Sequence, residues 1–211
     1  MNSSYPLLFE PNLHTVVWGG DRLCRWKGLP EQDNVGESWE VSAVESSPSV
    51  VANGFWAGKT LPEVVASAPE EILGKAVAKR NGGKMPLLVK FIDARKDLSI
   101  QVHPNDEMAL REHNKLGKSE MWYVLDAEPG ACIYAGFKKK PMSTSVWWPM
   151  ALSRRHLRAM KRMREMCFTS RLDVFTLFAV GFCWPRFSSH RTLLTGFLTI
   201  TGRGWTVNRA N

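Results

Sequence analysis

Three residues near the middle of the chain have the types and the spacing of a metal site. Gln101 and His103 lie two positions apart in an alternating apolar and polar segment, so both side chains would leave the same face of a β-strand. Glu120 follows seventeen residues after His103 and can bring a carboxylate from a second strand. An amide oxygen, an imidazole and a carboxylate suit a borderline metal such as zinc, and they leave coordination positions for a further ligand and for water or substrate. The three residues therefore predict a catalytic metal site.

Taken singly, the same residues have ordinary structural explanations. A histidine between Val102 and Pro104 is typical of a turn or a core, and Gln101 and Glu120 are common polar strand residues. Lys118 lies two positions before Glu120, so the two side chains share one face if the strand already includes Lys118. If the strand begins later, Lys118 is a solvated turn lysine. The metal site therefore depends on all of these residues converging.

The elements that must position these residues are mainly strands. Strand-like segments, each bounded by turn residues, are found at 37–44, 87–93, 98–102, 120–125 and 131–137. Several strands in succession indicate a sandwich or a barrel. Thr60 can cap a helix that begins at Leu61, with Glu63 completing a capping box, and this helical insert should continue in one or two pieces toward Ala78. A short helix is also predicted over 106–114.

Four segments carry a family resemblance. They are Gly36-Glu-Ser-Trp-Glu-Val-Ser42, Pro86-Leu-Leu-Val-Lys-Phe-Ile-Asp-Ala94, Leu98-Ser-Ile-Gln-Val-His-Pro-Asn-Asp106 and Gly117-Lys-Ser-Glu-Met-Trp-Tyr123. In this order they resemble the type I mannose-6-phosphate isomerases, zinc enzymes of the cupin fold, and most of all the short bacterial form. The resemblance extends from about Pro6 to Lys140 and then stops. It implies a mainly β fold, an incomplete cupin jelly roll with a helical insert.

The resemblance also implies roles for individual residues. Gln101, His103 and Glu120 match the family's zinc ligands, for one Zn²⁺ per chain, and a second histidine in a G-R-V-H segment completes the family's site. Lys118 matches a catalytic lysine that contacts substrate oxygens or assists proton transfer. Ser99 matches a serine near the sugar phosphate. The implied substrate is a small sugar phosphate, converted between mannose 6-phosphate and fructose 6-phosphate.

Composition changes where the resemblance ends. Residues 141–211 hold 11 of the 28 Lys and Arg residues but only two of the 20 Asp and Glu residues, Glu165 and Asp173. The first part therefore carries a net charge of −1 and the last 71 residues a net charge of +9. A basic segment that also holds four of the nine Trp residues is typical of an arm that binds nucleic acid or a membrane surface.

The genetic code gives a different explanation of this segment. Joining the last base of each codon to the first two bases of the next codon gives a second reading frame. Trp and Met each have a single codon, so they fix parts of that frame. At Met166-Cys167, for example, the second frame must encode Val. That frame permits E-G-D-V-F-Y-I-P-A-G-R-V-H across Arg164 to Thr176, then L-L-A-E-I-Q-Q-S-S-D-V-T-Y-R-I, and finally F-D-Y-N-R-P-G-M-D-G-E-P-R-E to the end of the chain. All three strings resemble the second half of the same isomerase family, in the right order. A frameshift at the lysine run 138–140 is therefore predicted.

This interpretation divides the chain at about residue 140. Residues 1–140 would be a partial catalytic cupin domain, and residues 141–211 an out-of-frame, non-native or disordered tail. The family's second histidine survives only across the codons of Phe175 and Thr176, and its active-site arginine, in T-Y-R-x-x-D-Y, is absent from the translated chain. The gene then encodes a zinc-dependent isomerase, while this chain is truncated and inactive. The alternative is a cupin module that binds sugar or regulates without catalysis, but the retained Gln101, His103, Lys118 and Glu120 disfavour it.

Location and partners follow from weaker signals. The first residues, up to Leu8, show neither a basic start nor a long apolar run, and the longest apolar stretch, 174–184, is shorter than the roughly 20 residues of a membrane span. Four widely spaced cysteines contain no CxxC pair, which is typical of reduced cytosolic thiols. We expect a cytoplasmic protein with no nucleic-acid or membrane partner.

Overall fold

The structure is a computed structural model of the chain. It describes residues 5–98, 101–102, 106–114, 117–128, 131–137, 157–160, 167–169, 177–182 and 193–201. The strands are β1 Leu13–Gly20, β2 Val35–Val41, β3 Leu87–Ala94, β4 Gln101–Val102, β5 Lys118–Ala127, β6 Ala131–Phe137, β7 Leu157–Met160, β8 Cys167–Thr169, β9 Leu177–Phe182 and β10 Leu193–Thr201. The helices are α1 Arg22–Trp26, α2 Leu61–Ser67, α3 Pro69–Leu73, α4 Lys75–Arg80 and α5 Asp106–His113, with a short 3₁₀ turn at Gly54–Trp56.

The strands form two sheets. The larger has six strands in the order β1-β2-β3-β10-β5-β8, and the smaller has four in the order β4-β9-β6-β7. All of the strand pairs within the two sheets are antiparallel. The mainly β fold with few helices matches the cupin jelly roll that the resemblance implies.

The core lies between the two sheets. Ile92 and Ala94 of β3 and Trp122 and Val124 of β5 are buried against Ile133 of β6 in the smaller sheet. We call the surface of the six-stranded sheet that carries these residues its inner face. Because side chains alternate along a strand, every second residue of β3 and β5 lies on this face.

The predicted elements of the first 140 residues are confirmed with small shifts in their ends. The five expected strands correspond to β2, β3, β4, β5 and β6, and the helix predicted over 106–114 is α5. The helical insert between β2 and β3 consists of α2, α3 and α4, because Pro69 and Gly74 interrupt it. The sequence analysis missed β1 and the short helix α1, where Trp18-Gly19-Gly20 gives no strand alternation.

The cap of α2 yields a stability prediction. Thr60 Oγ1 accepts a hydrogen bond from the backbone N–H of Glu63, and the Glu63 carboxylate accepts one from the backbone N–H of Thr60 at 2.8 Å. Replacing Thr60→Ala should lower the free energy of unfolding by about 1 kcal/mol, because the backbone N–H of Glu63 loses its acceptor and the Glu63 carboxylate loses the hydrogen bond from Thr60 Oγ1. Urea denaturation measures this change. The control Ser67→Ala removes an exposed hydroxyl bonded to the Glu63 carbonyl and should cost only a few tenths of a kcal/mol; equal losses in the two variants would contradict the capping role.

The segment after residue 140 differs from the irregular tail that we expected. Its described parts are β7, β8, β9 and β10, and β10 lies between β3 and β5 in the larger sheet. The physical reason is that β10, with the sequence Leu-Leu-Thr-Gly-Phe-Leu-Thr-Ile-Thr, is rich in residues of high strand propensity. Backbone pairing along β3 and β5 satisfies the hydrogen-bonding groups of any extended segment, whatever reading frame produced it. The division at residue 140 therefore stays a prediction.

Two further features of the described residues are the character of the helices and the state of one cysteine. Within the residues that the structure describes, no helix has the length and apolar character needed to cross a membrane. Cys24, the cysteine whose side chain is described, is buried and carries a free thiol.

Candidate active site on the inner face

Lys118 and Glu120 meet on the inner face of the large sheet. Because β5 begins at Lys118, the two residues share the face that also carries Trp122. The Lys118 Nζ atom lies 2.6 Å from Oε1 of Glu120, and the Trp122 indole Nε1–H donates to Oε2 at 3.3 Å. Glu120 is only 3% exposed. A carboxylate so far from water requires charge-assisted partners, and Lys118 and Trp122 supply them.

The other predicted residues can be placed only in part. Gln101 begins β4, which pairs with β9 in the smaller sheet, and the structure describes its backbone. Ser99 and His103 lie outside the described residues. In the described part of the chain, no group of three or more His, Cys, Asp and Glu side chains could hold a metal ion. The convergence of Gln101, His103 and Glu120 therefore stays a prediction.

A second ion pair on the same face was not singled out by the sequence analysis. Glu37 of β2 is the cross-strand partner of Ile92, and Trp39 is that of Lys90, so all four lie on the inner face. Lys90 Nζ is 3.0 Å from Oε1 of Glu37, and the Trp39 Nε1–H donates to Oε2 at 2.6 Å. The Lys90 ammonium also lies 5.8 Å from the centre of the Trp39 ring. The available signal was a lysine inside the otherwise apolar segment Leu87–Ile92.

The two ion pairs act on each other electrostatically. Burial lowers the pKa of Lys90, and the nearby Glu37 carboxylate opposes that shift. Smaller contributions come from Lys118, which lowers the pKa of Lys90, and from Glu120, which raises it. Lys90 and Trp122 are aligned across β10 through their shared partner Phe197, so the pairs occupy neighbouring positions on one surface. The face therefore presents two lysines and two carboxylates, of which Glu120 is buried, Lys90 and Glu37 are mostly covered and Lys118 is 32% exposed.

This surface has the chemistry that a zinc site and an anionic substrate would need. The buried Glu120 carboxylate is a hard oxygen donor of the kind found among zinc ligands, and β4 brings Gln101 into the opposing sheet. Lysine ammonium groups such as Lys90 and Lys118 can hold negatively charged oxygens. Glu120 is the one predicted zinc ligand whose side chain the structure describes, so a zinc ion between the sheets stays a prediction.

Known proteins resemble the chain in sequence over its first part. A profile of the phosphomannose isomerase type I catalytic domain matches residues 8–133. A probable mannose-6-phosphate isomerase, GmuF of Bacillus subtilis, is 43% identical over 136 residues, which is 63% of this chain and 41% of that relative. The chain thus spans less than half of the length of this curated relative.

Solved structures resemble the chain over more of its length. The mannose 6-phosphate isomerase of Bacillus subtilis superposes with a TM-score of 0.77 and 28% identity, covering 94% of this chain and 60% of that one. A zinc-bound mannose 6-phosphate isomerase, 13% identical, has a TM-score of 0.65 over 92% of this chain and 68% of that one, and at this identity it shows the fold alone. The likeness in fold therefore continues into the segment where the profile match has ended.

Proposed function

Because the chain belongs to the type I phosphomannose isomerase family, we propose that its gene encodes an enzyme that interconverts mannose 6-phosphate and fructose 6-phosphate. The observation that carries this proposal is the pair of Lys118 with the buried Glu120 carboxylate on the inner face, inside the segment that the family profile matches. The reaction transfers a proton between C2 and C1 of the sugar through a cis-enediol(ate). It needs a base for a carbon-bound proton and cations near the sugar oxygens and the phosphate.

Zinc is the proposed cofactor, with one ion per chain. Gln101, His103 and Glu120 would hold it, as the family resemblance implies, and a mannose 6-phosphate isomerase of the same fold binds zinc. When bound, the ion would supply Lewis-acid stabilisation of negative charge on sugar oxygens. The indole N–H of Trp122 would orient the Glu120 carboxylate through its hydrogen bond to Oε2, as groups behind metal ligands commonly do.

The chain's own lysines have distinct proposed tasks. Lys118 would contact the substrate oxygens or assist proton transfer, because its ammonium lies against the proposed metal ligand Glu120. Ser99 would lie near the sugar phosphate. Lys90 would add a second cation on the same surface, held in place by Glu37. Lys90 is the better shielded of the two lysines, with a side chain 11% exposed against 32% for Lys118, so water screens its charge less.

For the chain as translated, we propose truncation and loss of activity. The second histidine and the active-site arginine that the family resemblance implies lie in the other reading frame, after the lysine run 138–140. The likeness in fold covers 94% of the chain against the Bacillus subtilis enzyme, yet the family profile ends at residue 133. An out-of-frame segment would account for both facts, because it could pair as strands through its backbone while its side chains differ from those of the family.

A zinc titration tests the proposed site. The 211-residue chain should bind zinc more weakly than a frame-restored chain, because it lacks the G-R-V-H histidine that would serve as a further ligand, and the metal is then more exposed. Glu120→Gln should weaken binding in both by at least about tenfold, since it removes a charged ligand. Competition with a chromogenic chelator measures the affinities.

The matched control for this titration is Glu112→Gln, which removes a surface carboxylate paired with Arg111 and should leave zinc affinity unchanged. Circular dichroism of each variant should show that it has folded. If both chains bind zinc equally tightly, the missing half does not contribute to the site. If Glu120→Gln binds as tightly as the parent chain, Glu120 is not a ligand.

A further inference from the structure

His14 lies at the edge of the inner face, next to the second ion pair. It is the cross-strand partner of Glu37 in the β1–β2 pair, so its side chain leaves the sheet on the same side. Its imidazole packs on the Trp39 indole with ring centres 4.2 Å apart and planes inclined by 31°. Nothing in its sequence neighbourhood distinguishes His14 from an ordinary structural or surface histidine. Its position instead makes it a neighbour of the proposed active-site surface.

A continuous series of contacts leads from His14 to Lys90. Ser47 Oγ lies 3.3 Å from His14 Nε2, and Ser47 is itself held by a hydrogen bond to Asn12 at 2.9 Å. Trp39, on which His14 packs, donates its indole N–H to Glu37. Glu37 in turn holds the Lys90 ammonium at 3.0 Å. Each oxygen of the Glu37 carboxylate therefore has its own partner, and the ring of His14 supports one of them.

The charge state of His14 matters to this arrangement. Burial lowers the pKa of His14, Glu37 of β2 raises it, and Lys90 of β3 lowers it further. The lowered pKa favours the neutral imidazole, which adds no second cation beside Lys90. Protonation would place a positive charge next to the Trp39 and Glu37 pair and would compete with Lys90 for the carboxylate.

We infer that His14 is a positioning residue: its ring, anchored by Ser47, keeps the Trp39 indole on Glu37 and so fixes the Glu37 carboxylate on Lys90. This inference rests on the proposed function only in assigning Lys90 to the substrate surface. The contacts themselves involve β1, β2, β3 and the loop after β2, all of which precede the lysine run. They can therefore be tested in the 211-residue chain without any catalytic activity.

The test is nuclear magnetic resonance of the Trp39 indole N–H in the 211-residue chain, assigned with Trp39→Phe. In His14→Ala, hydrogen exchange of this N–H should become about tenfold faster, because the ring that holds the indole is gone. His14→Phe keeps an aromatic ring and should restore most of the protection. His113→Ala, which removes an exposed histidine at the end of α5, is the matched control and should leave the exchange rate unchanged. Unchanged exchange in His14→Ala would overturn the inference.

The pH dependence of the Trp39 indole signal supplies a second, independent measurement. Because the folded-state pKa of His14 lies below its ordinary value of 6.5, the unfolded chain binds more protons in the interval between the two values. The stability that His14 contributes is fully present above pH 6.5 and is lost as the pH falls through the folded-state pKa. The Trp39 indole signal should shift over the same interval in the parent chain and stay constant in His14→Phe. A shift that persists in His14→Phe would assign the titration to another group and contradict the role of His14.

In a frame-restored chain, the same variants separate positioning from folding. His14→Ala should lower kcat with little change in KM, and His14→Phe should recover most of kcat at neutral pH. If the frame-restored chain does not isomerise mannose 6-phosphate, the proposed function fails, but the exchange measurements still decide the role of His14. If it is active and His14→Ala keeps the parental kcat, the exchange result describes a structural contact only and the positioning role is wrong.

Discussion

Restoring one base in the lysine run 138–140 should raise the turnover of mannose 6-phosphate at least about a thousandfold over that of the 211-residue chain. In the restored frame, the G-R-V-H histidine and the T-Y-R-x-x-D-Y arginine return to the family's order. Loss of a single group that stabilises developing charge commonly lowers kcat by about 10² to 10³, and here a metal ligand and a cation are lost together. A coupled assay of fructose 6-phosphate formation on both purified chains measures the ratio.

Two variants of the restored chain locate the activity on the inner face. Glu120→Gln should abolish most of it, because the buried carboxylate is a proposed zinc ligand, while Glu112→Gln at an exposed position of α5 should keep it. Comparable turnover by the 211-residue and restored chains would refute the proposed truncation. An inactive restored chain that binds zinc and folds would favour the non-catalytic sugar-binding module instead.

Replacing Arg22→Leu should lower the free energy of unfolding by about 3–5 kcal/mol, because it leaves a buried carboxylate with one partner fewer. Arg22 binds Asp93 through its backbone N–H at 2.8 Å and its Nε at 3.3 Å, and it reaches Asp126 with Nη1 at 3.1 Å. Asp93 is completely buried. Leu194 of β10 pairs with both aspartates, so Arg22 spans β10 and links β3 to β5. Urea denaturation at pH 7.5 measures the loss.

The control for Arg22→Leu is Asp126→Ala, which removes the more exposed partner and should cost less than about 1 kcal/mol. The pH dependence gives a further check, because burial already raises the pKa of Asp93 above its ordinary value of 3.8. Stability from such a group is present below pH 3.8 and is lost as the pH rises through the folded-state pKa. Without Arg22 that pKa should rise further, so the variant should lose more stability at pH 7.5 than at pH 5. Equal losses at the two pH values would contradict the assignment.

Local features of the fold could be predicted because their signals lie within a few residues. The Thr60 and Glu63 capping box requires a spacing of three, and both of its hydrogen bonds are present. The shared face of Lys118 and Glu120 requires only strand alternation, and the 2.6 Å contact follows from it. The family is confirmed by motifs that are continuous in sequence. The out-of-frame origin of residues 141–211 is also inferred from a local signal, because each codon junction involves two adjacent residues. It stays a prediction.

The structure alone decided which distant residues meet. Glu37 and Lys90 are 53 positions apart, and their ion pair depends on the antiparallel register of β2 and β3. Arg22 meets Asp93 and Asp126 because α1 lies over the end of β3 and because β10 separates β3 from β5 by one strand. The position of β10 could not be predicted from sequence either. A segment pairs with two neighbouring strands through backbone hydrogen bonds, and these depend little on its side chains. Sequence therefore determined the local elements and the candidate ligands, whereas strand order and register, which arise from contacts far apart in the chain, determined the charged inner face.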